Sequence, residues 1–144
     1  MAKTFNDGIL PVSFIADVDL SSYQYRAVKA ASTGTDYVAL ANAGSDPTPI
    51  GILQNDPDTA GDEASVKCLG FTKAVVAACD LGGEACAIDY GDLLTCGSDG
   101  RLYRAGSNSG YCARAFGAIS TACYVEIINV QWLGSTSSCS VAAS

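Results

Sequence analysis

The stretch Asp92-Leu93-Leu94-Thr95-Cys96-Gly97-Ser98-Asp99-Gly100-Arg101-Leu102-Tyr103-Arg104-Ala105 decides the fold class. Two short runs, Asp92 to Cys96 and Arg101 to Ala105, flank Ser98-Asp99-Gly100. Asp-Gly favours the positive φ angles of a tight reversal, so the segment predicts a β-hairpin. The same pattern recurs along the chain. Short β-branched, aromatic or alternating runs cover Tyr23 to Val28, Asp36 to Leu40, Ile50 to Leu53, Ala64 to Cys68, Phe71 to Ala77, Tyr111 to Phe116 and Tyr124 to Leu133. Gly, Pro, Asp and Asn separate them. In Ala64 to Cys68 the residues Ala64, Val66 and Cys68 share one face, and Ser65 and Lys67 take the other. Gly70 permits a bend or bulge before Phe71.

Sustained helical periodicity is missing, and one short helical turn fits around Ala77 to Ala87. The expected fold is therefore all-β: a small barrel or sandwich of about nine short strands with little helix. Both ends differ from the middle. Residues 1–18 mix apolar side chains with Gly8 and Pro11 and have no hairpin partner, which suits an extended N-terminal arm. Val12 to Ala16 also fits as the first strand of the domain's own sheet. Residues 19–133 form the barrel domain, and 134–144 are a Ser- and Ala-rich C-terminal tail.

Charge narrows the partners. The 144 residues hold 15 acidic and 8 basic side chains, a net charge of −7. Such a surface repels phosphate backbones, so no nucleic-acid partner is expected. Anionic membrane surfaces are disfavoured for the same reason. Ile9 to Ala16 is the most apolar N-terminal run, far shorter than the ~20 residues of a membrane span. It also makes a poor signal peptide, which predicts synthesis in the cytosol.

Catalytic constellations are missing. A nucleophilic triad needs a base, and the chain has no His. Most carboxylates sit in turn-like contexts beside Gly or Pro, where solvation is their ordinary state. Asp56-Pro57-Asp58-Thr59-Ala60-Gly61 departs from a calcium loop at Ala60, and again at Lys67, where the closing Glu belongs. No phosphate-cradling glycine motif occurs. The chain is read as a non-enzyme without cofactor or metal.

Seven cysteines stand at 68, 79, 86, 96, 112, 123 and 139, with no C-x-x-C pair. Zinc would need four scattered thiolates. They serve either as small core residues or as disulfides formed outside a reducing cell. Cys79 with Cys86, and Cys112 with Cys123, each flank a turn-like stretch and are the candidate pairs.

Several segments, in order, resemble the capsid decoration (cement) proteins of tailed bacteriophages. Asp19 to Lys29 (DLSSYQYRAVK) is similar to the family's opening strand, and Ile50 to Pro57 (IGILQNDP) to a strand running into a turn. Ala64 to Val76 (ASVKCLGFTKAVV) resembles its central strand pair, Gly91 to Ala105 its "G-D-L … D-G-R" hairpin, and Ala113 to Val130 its last hairpin. The high cysteine count and the Ser-rich tail depart from that pattern. The resemblance implies a virion protein made in the host cytoplasm. It would bind the outer surface of the major capsid protein shell, as a homotrimer at three-fold positions, and clamp it. Ile9, Pro11, Val12, Phe14 and Ile15 would then anchor the arm on the capsid, for example by adding a strand to a sheet edge. As an arm, residues 1–17 are expected to be dispensable for folding. The alternative is a β-barrel binding module of a phage fibre or a carbohydrate-binding surface protein. An exposed platform of Tyr103, Tyr111 or Trp132 would mark the carbohydrate case.

Overall fold

The computed structural model describes residues 7–41, 49–80, 84–97, 99–106, 110–121 and 124–134. Ten strands are formed: β1 Val12–Ala16, β2 Ala27–Ala30, β3 Tyr37–Leu40, β4 Pro49–Leu53, β5 Glu63–Lys67, β6 Gly70–Ala77, β7 Leu93–Cys96, β8 Leu102–Arg104, β9 Ala113–Ala115 and β10 Val125–Trp132. Nine correspond to the runs read from the sequence, and β1 is the tenth. Among the described residues there is no helix. The helical turn expected around Ala77 to Ala87 is not formed by the described residues there, where a bend at Ala78 leads into a β-bridge between Cys79 and Ala85.

The all-β expectation holds, and the strands divide between two closed barrels. Barrel 1 runs in the order β1-β3-β2-β4-β5 and barrel 2 in the order β10-β6-β8-β7-β9. Most pairings are antiparallel, but β1 with β3 and β6 with β8 are parallel. β1 closes barrel 1 by pairing antiparallel to β5, with Val12 opposite Val66 and Phe14 opposite Ala64. Closure removes the free edges that an open sheet would expose. The long seam of barrel 2 is β6 against β10, from Val125 opposite Ala77 to Trp132 opposite Gly70.

Alternation explains which side chains fill each barrel. Val28, Val38, Leu53, Ala64 and Val66 make the core of barrel 1 with Leu20. Ala74, Val76, Leu94, Leu102, Ile128, Val130 and Trp132 make that of barrel 2. Trp132 is 1% exposed, and its Nε1 has no hydrogen-bond partner among the described residues. Trp132→Phe loses the fused five-membered ring and leaves a small cavity, but it also removes an unsatisfied donor, so it is expected to cost only about 1–2 kcal/mol. Trp132→Ala empties the core and is expected to cost about 3–5 kcal/mol. Urea unfolding of both variants checks the contrast.

The barrels lie against each other. Only Cys68 and Leu69 separate β5 from β6, and Gly70 turns the chain at φ +92°. Ala27, Ala41 and Ile52 from the barrel 1 side join the core cluster of barrel 2. The loop of the 92–105 hairpin completes the junction. β7 and β8 pair as expected, with Cys96 opposite Leu102, while the reversal spans Gly97 to Arg101. Gly100 supplies the positive φ, +78°, and its carbonyl accepts a hydrogen bond from Ala27 N at 2.8 Å. Asp99 keeps ordinary φ, and its carbonyl accepts from Arg26 Nη1 at 3.1 Å. Tyr25 is the second link. It holds φ +66°, unusual for a bulky residue, while its N–H donates to Leu53 O and its carbonyl accepts from Val75 N. Bonds to both barrels hold this backbone in a sparsely populated conformation.

Candidate docking surface

The expected anchor residues separate into two groups. Phe14 is half-buried against the barrel 1 core, and Ile15 is half-buried on the opposite face of β1. Ile9, Pro11 and Val12 are exposed. β1 has β5 along one edge from Val12 to Ile15 and β3 on the other at Ile15 and Ala16, so strand addition has no free edge at the C-terminal end of β1. An interface here draws mainly on side chains.

Two exposed residues that the sequence reading passed over extend the apolar surface. Leu10 is 81% exposed and Leu69 is 56% exposed. Leu69 sits in the β5–β6 turn, and the Ile9 side chain lies against neighbouring Gly70. Ile9 thus stands beside the turn that carries Leu69, and exposed Leu10 and Val12 follow it along the chain. Exposed large apolar side chains on adjoining segments mark contact surfaces more often than scattered ones do.

Asp7 fixes this segment. Its Oδ1 accepts from Ile9 N at 2.9 Å and from Lys67 Nζ at 2.9 Å, and its Oδ2 accepts from Phe71 N at 2.6 Å. Lys67 Nζ also donates to Ile9 O. The alternation puts Lys67 on the face opposite Ala64 and Val66, where Asp7 and Ile9 O engage its ammonium and leave it 7% exposed. Hydrogen bonds from Lys67, Phe71 and Ile9 hold the Asp7 carboxyl well below the usual carboxylate range. The folded protein therefore favours the anion more than the unfolded chain does. That stabilisation is present above the unfolded value of ~4 and is lost as pH falls from there towards the lower folded value. Amide exchange at Ile9 and Phe71 is expected to accelerate in Asp7→Asn at neutral pH. Unchanged protection would show that other contacts hold the segment.

A cleft of about 290 Å³ opens beside this segment, between the barrels. Pro11, Tyr25, Gln54, Lys67, Phe71 and Lys73 line it together with the largely buried Asn129. Gln54 Nε2 donates to Thr72 Oγ1 at 2.8 Å and to Ile52 O at 2.9 Å, tying the two barrels at the rim. Phe71 and Phe116 meet edge to face at 5.0 Å, and Tyr90 extends the row. On the outer face of the β6–β10 seam, Ile127 and Val125 are also exposed.

The aromatic platform expected of a carbohydrate module is not assembled from Trp132, which is buried. Tyr103 is half-buried, its ring packed over Gly97 and its hydroxyl 3.4 Å from the Asp99 carboxylate. Burial, followed by the Asp99 charge, pushes the Tyr103 phenol up. Burial also pulls Asp99 upward, but hydrogen bonds from Arg101 outweigh it and keep that carboxyl below its ordinary value.

Cys96 and Cys112 are buried in barrel 2, and Cys68 and Cys86 are part-exposed; all four are unbridged. Desolvation, with the Asp99 charge second, pushes the Cys96 thiol up to about 12. Desolvation raises Cys112 further. Cys79 and Cys86 lie near each other across the Cys79–Ala85 bridge. Cys123 lies outside the described residues, as does the tail beyond Gly134. At pH 8, Cys96 and Cys112 are expected to resist alkylation at least ~100-fold more than Cys86, read by mass mapping of the native protein. Equal rates would show that barrel 2 opens readily.

Among the described residues no group of three acidic or thiol side chains is placed to hold a metal ion. No family model matches the chain, and no curated protein matches it. Among solved structures, the chain is similar to the N base of the head fibre protein gp8.5 of bacteriophage phi29. The TM-score is 0.60 at 18% identity, over 88% of this chain and 96% of that one. At this identity the likeness describes the fold: a pair of small barrels.

Proposed function

We propose that this chain is a structural protein of a tailed-phage virion, a barrel pair that fastens to the outer surface of the major capsid shell as the base of a fibre-type appendage. The likeness to a head-fibre base supports the appendage reading over a simple cement. Closed barrels, the lack of a catalytic constellation in the sequence and an acidic surface suited to the outside of a DNA-filled shell all fit it. The observation that carries it is the exposed cluster of Ile9, Leu10, Val12 and Leu69, held in place by the Asp7–Lys67 network. Each such side chain, if fully desolvated, contributes about 1.5–3 kcal/mol to docking.

The test is co-sedimentation with shells lacking the protein. Leu10→Glu with Leu69→Glu should reduce retention at least ~100-fold while leaving the melt unchanged, because these side chains are 81% and 56% exposed. Retention at the wild-type level would remove the patch from the interface.

The decoration reading differs by a symmetry argument. A cement protein would sit as a homotrimer over three-fold positions, as the resemblance to that family implies. A reconstruction of the assembly with isolated copies away from any three-fold position would count against it. The pairings Cys79–Cys86 and Cys112–Cys123 belong to the same picture, since oxidation would follow release from the reducing host. Seven free thiols in non-reduced virion protein would exclude them.

A further inference from the structure

The cleft between the barrels carries a charge that no described residue answers. Lys67 spends its ammonium on Asp7 and Ile9 O. Arg101 pairs with Asp99, and Arg104 with Asp92 at 3.7 Å. Arg26 stacks over Tyr23 and donates to Asp99 O, and Arg114 donates to Gly91 O. Lys73 has no such partner among the described residues. It stands half-buried on the outer face of β6, opposite Asn129, and lines the cleft. Among the described residues no carboxylate lines the cleft, and Asp7, which approaches it through Lys67, is already paired with that lysine. In a chain of net charge −7, this cleft is a cationic spot.

One other group suits the same type of guest. The Tyr25 side chain lines the cleft, and its hydroxyl has no hydrogen-bond partner among the described residues, so it is free to donate. Gln54 spends its amide N–H groups on Ile52 O and Thr72 Oγ1 and offers an anion no donor. The cleft therefore offers one cation and one hydroxyl donor beside the Tyr25 and Phe71 rings. This is a socket for a single anionic group, too small for an extended polyanion. Its position identifies the source. Pro11 lines the cleft between Leu10 and Val12 of the apolar patch. Two residues along β6 from Lys73, Val75 lies opposite exposed Ile127. Apolar contact residues thus lie on both chain neighbourhoods of the socket.

We propose that this cleft receives an Asp or Glu side chain from an acidic loop of the shell protein, with Lys73 as its counter-ion. The inference rests on the docking reading above and adds the partner's chemistry at the contact. A carboxylate seated there desolvates Lys73 against a paired charge, and apolar neighbours exclude water around it, which strengthens the pair. The partner group also fixes orientation, since the patch alone is not directional.

The experiment is co-sedimentation of full-length protein with undecorated shells across a salt series, using Lys73→Gln, Lys73→Glu and Arg114→Gln. Thermal melts verify folding. Lys73→Gln is expected to lose about ten-fold in affinity and to flatten the salt dependence, and Lys73→Glu to lose more. Arg114→Gln, an exposed cation elsewhere on barrel 2, should behave as wild type. Wild-type affinity and salt slope in both Lys73 variants would overturn the socket while leaving patch docking intact. Equal losses in Arg114→Gln would overturn it too, because net charge alone would then explain the effect. Failure of the wild type to bind shells at any salt would remove the docking reading and this inference together. Titration of the isolated protein with oligogalacturonate is the remaining arm. No heat is expected, and binding that disappears in Lys73→Gln would reassign the cleft to acidic sugars.

Discussion

Gly100→Ala is expected to lower stability by about 2–5 kcal/mol, which for a chain of this size moves the melting midpoint by roughly 6–20 °C. Two costs add. The residue sits at φ +78°, where a Cβ costs about 1–2 kcal/mol. That Cβ would also meet Leu40 Cδ1 at 2.6 Å, Ala27 O at 2.9 Å and Arg26 Cβ at 3.1 Å, all from the other barrel. Overpacking of this kind adds about 1–3 kcal/mol, and relief by backing away stretches the Ala27 N to Gly100 O hydrogen bond. Gly61 separates the terms. It has φ +97° but open space around its Cβ direction, so Gly61→Ala should cost only the conformational part, about 1–2 kcal/mol. Calorimetry of the two variants measures the difference. Equal shifts would mean that the hairpin loop does not bear on barrel 1.

That comparison also shows how far the sequence can be read. The Asp99-Gly100 signal located a reversal, since positive φ is a local property and Gly declares it. What the loop touches is not local, and nothing in DLLTCGSDGRLYRA says that it closes against Arg26 and Ala27. The division into two barrels was hidden for the same reason. Strand periodicity tells which side chains share a face, but not which strand closes the ring. The parallel pairings β1–β3 and β6–β8 join segments with no hairpin between them. The alternation put Lys67 on the face opposite Ala64 and Val66 without saying what covers that face. Its burial comes from Asp7, 60 positions earlier. Trp132 could be read as platform or core until its partner across the seam, Gly70, was known. Leu69 gave a signal that was passed over. A large apolar residue directly before a turn glycine, outside any alternating run, has no inward face to occupy.

Barrel closure also constrains how the protein can bind. An open sheet offers main-chain hydrogen bonds to any extended partner. Here β1 and β5 close one ring and β9 and β10 the other, so those groups are spent within the fold. Affinity must then come from a few desolvated apolar side chains, and specificity from charge placement. The Ile9–Leu10–Val12–Leu69 patch and Lys73 are the described features that combine the two near one cleft.

Deleting residues 1–17 is expected to unfold barrel 1, whereas an arm of the same length could be removed without harm. β1 is bonded on both edges, through Ile15 N to Asp36 O at 2.8 Å and Ala16 N to Asp62 O at 2.9 Å among others. Each hydrogen bond contributes about 1 kcal/mol net, and burying Phe14 adds about 1.5–3 kcal/mol. Removing the strand also opens β3 and β5 as bare edges, uncovers the core around Val38 and Val66, and leaves Lys67 buried without Asp7. A buried cation without its partner is itself costly by several kcal/mol. Together these losses approach the whole stability of a typical domain, about 5–15 kcal/mol. A deletion ending at residue 6 keeps Asp7, β1 and every contact just named. Amide exchange then distinguishes the outcomes: the short deletion should retain protection throughout β2 to β5, and the long one should lose it there first. Full protection in the long deletion would mean that barrel 1 closes without β1, and that residues 1–17 are an arm after all.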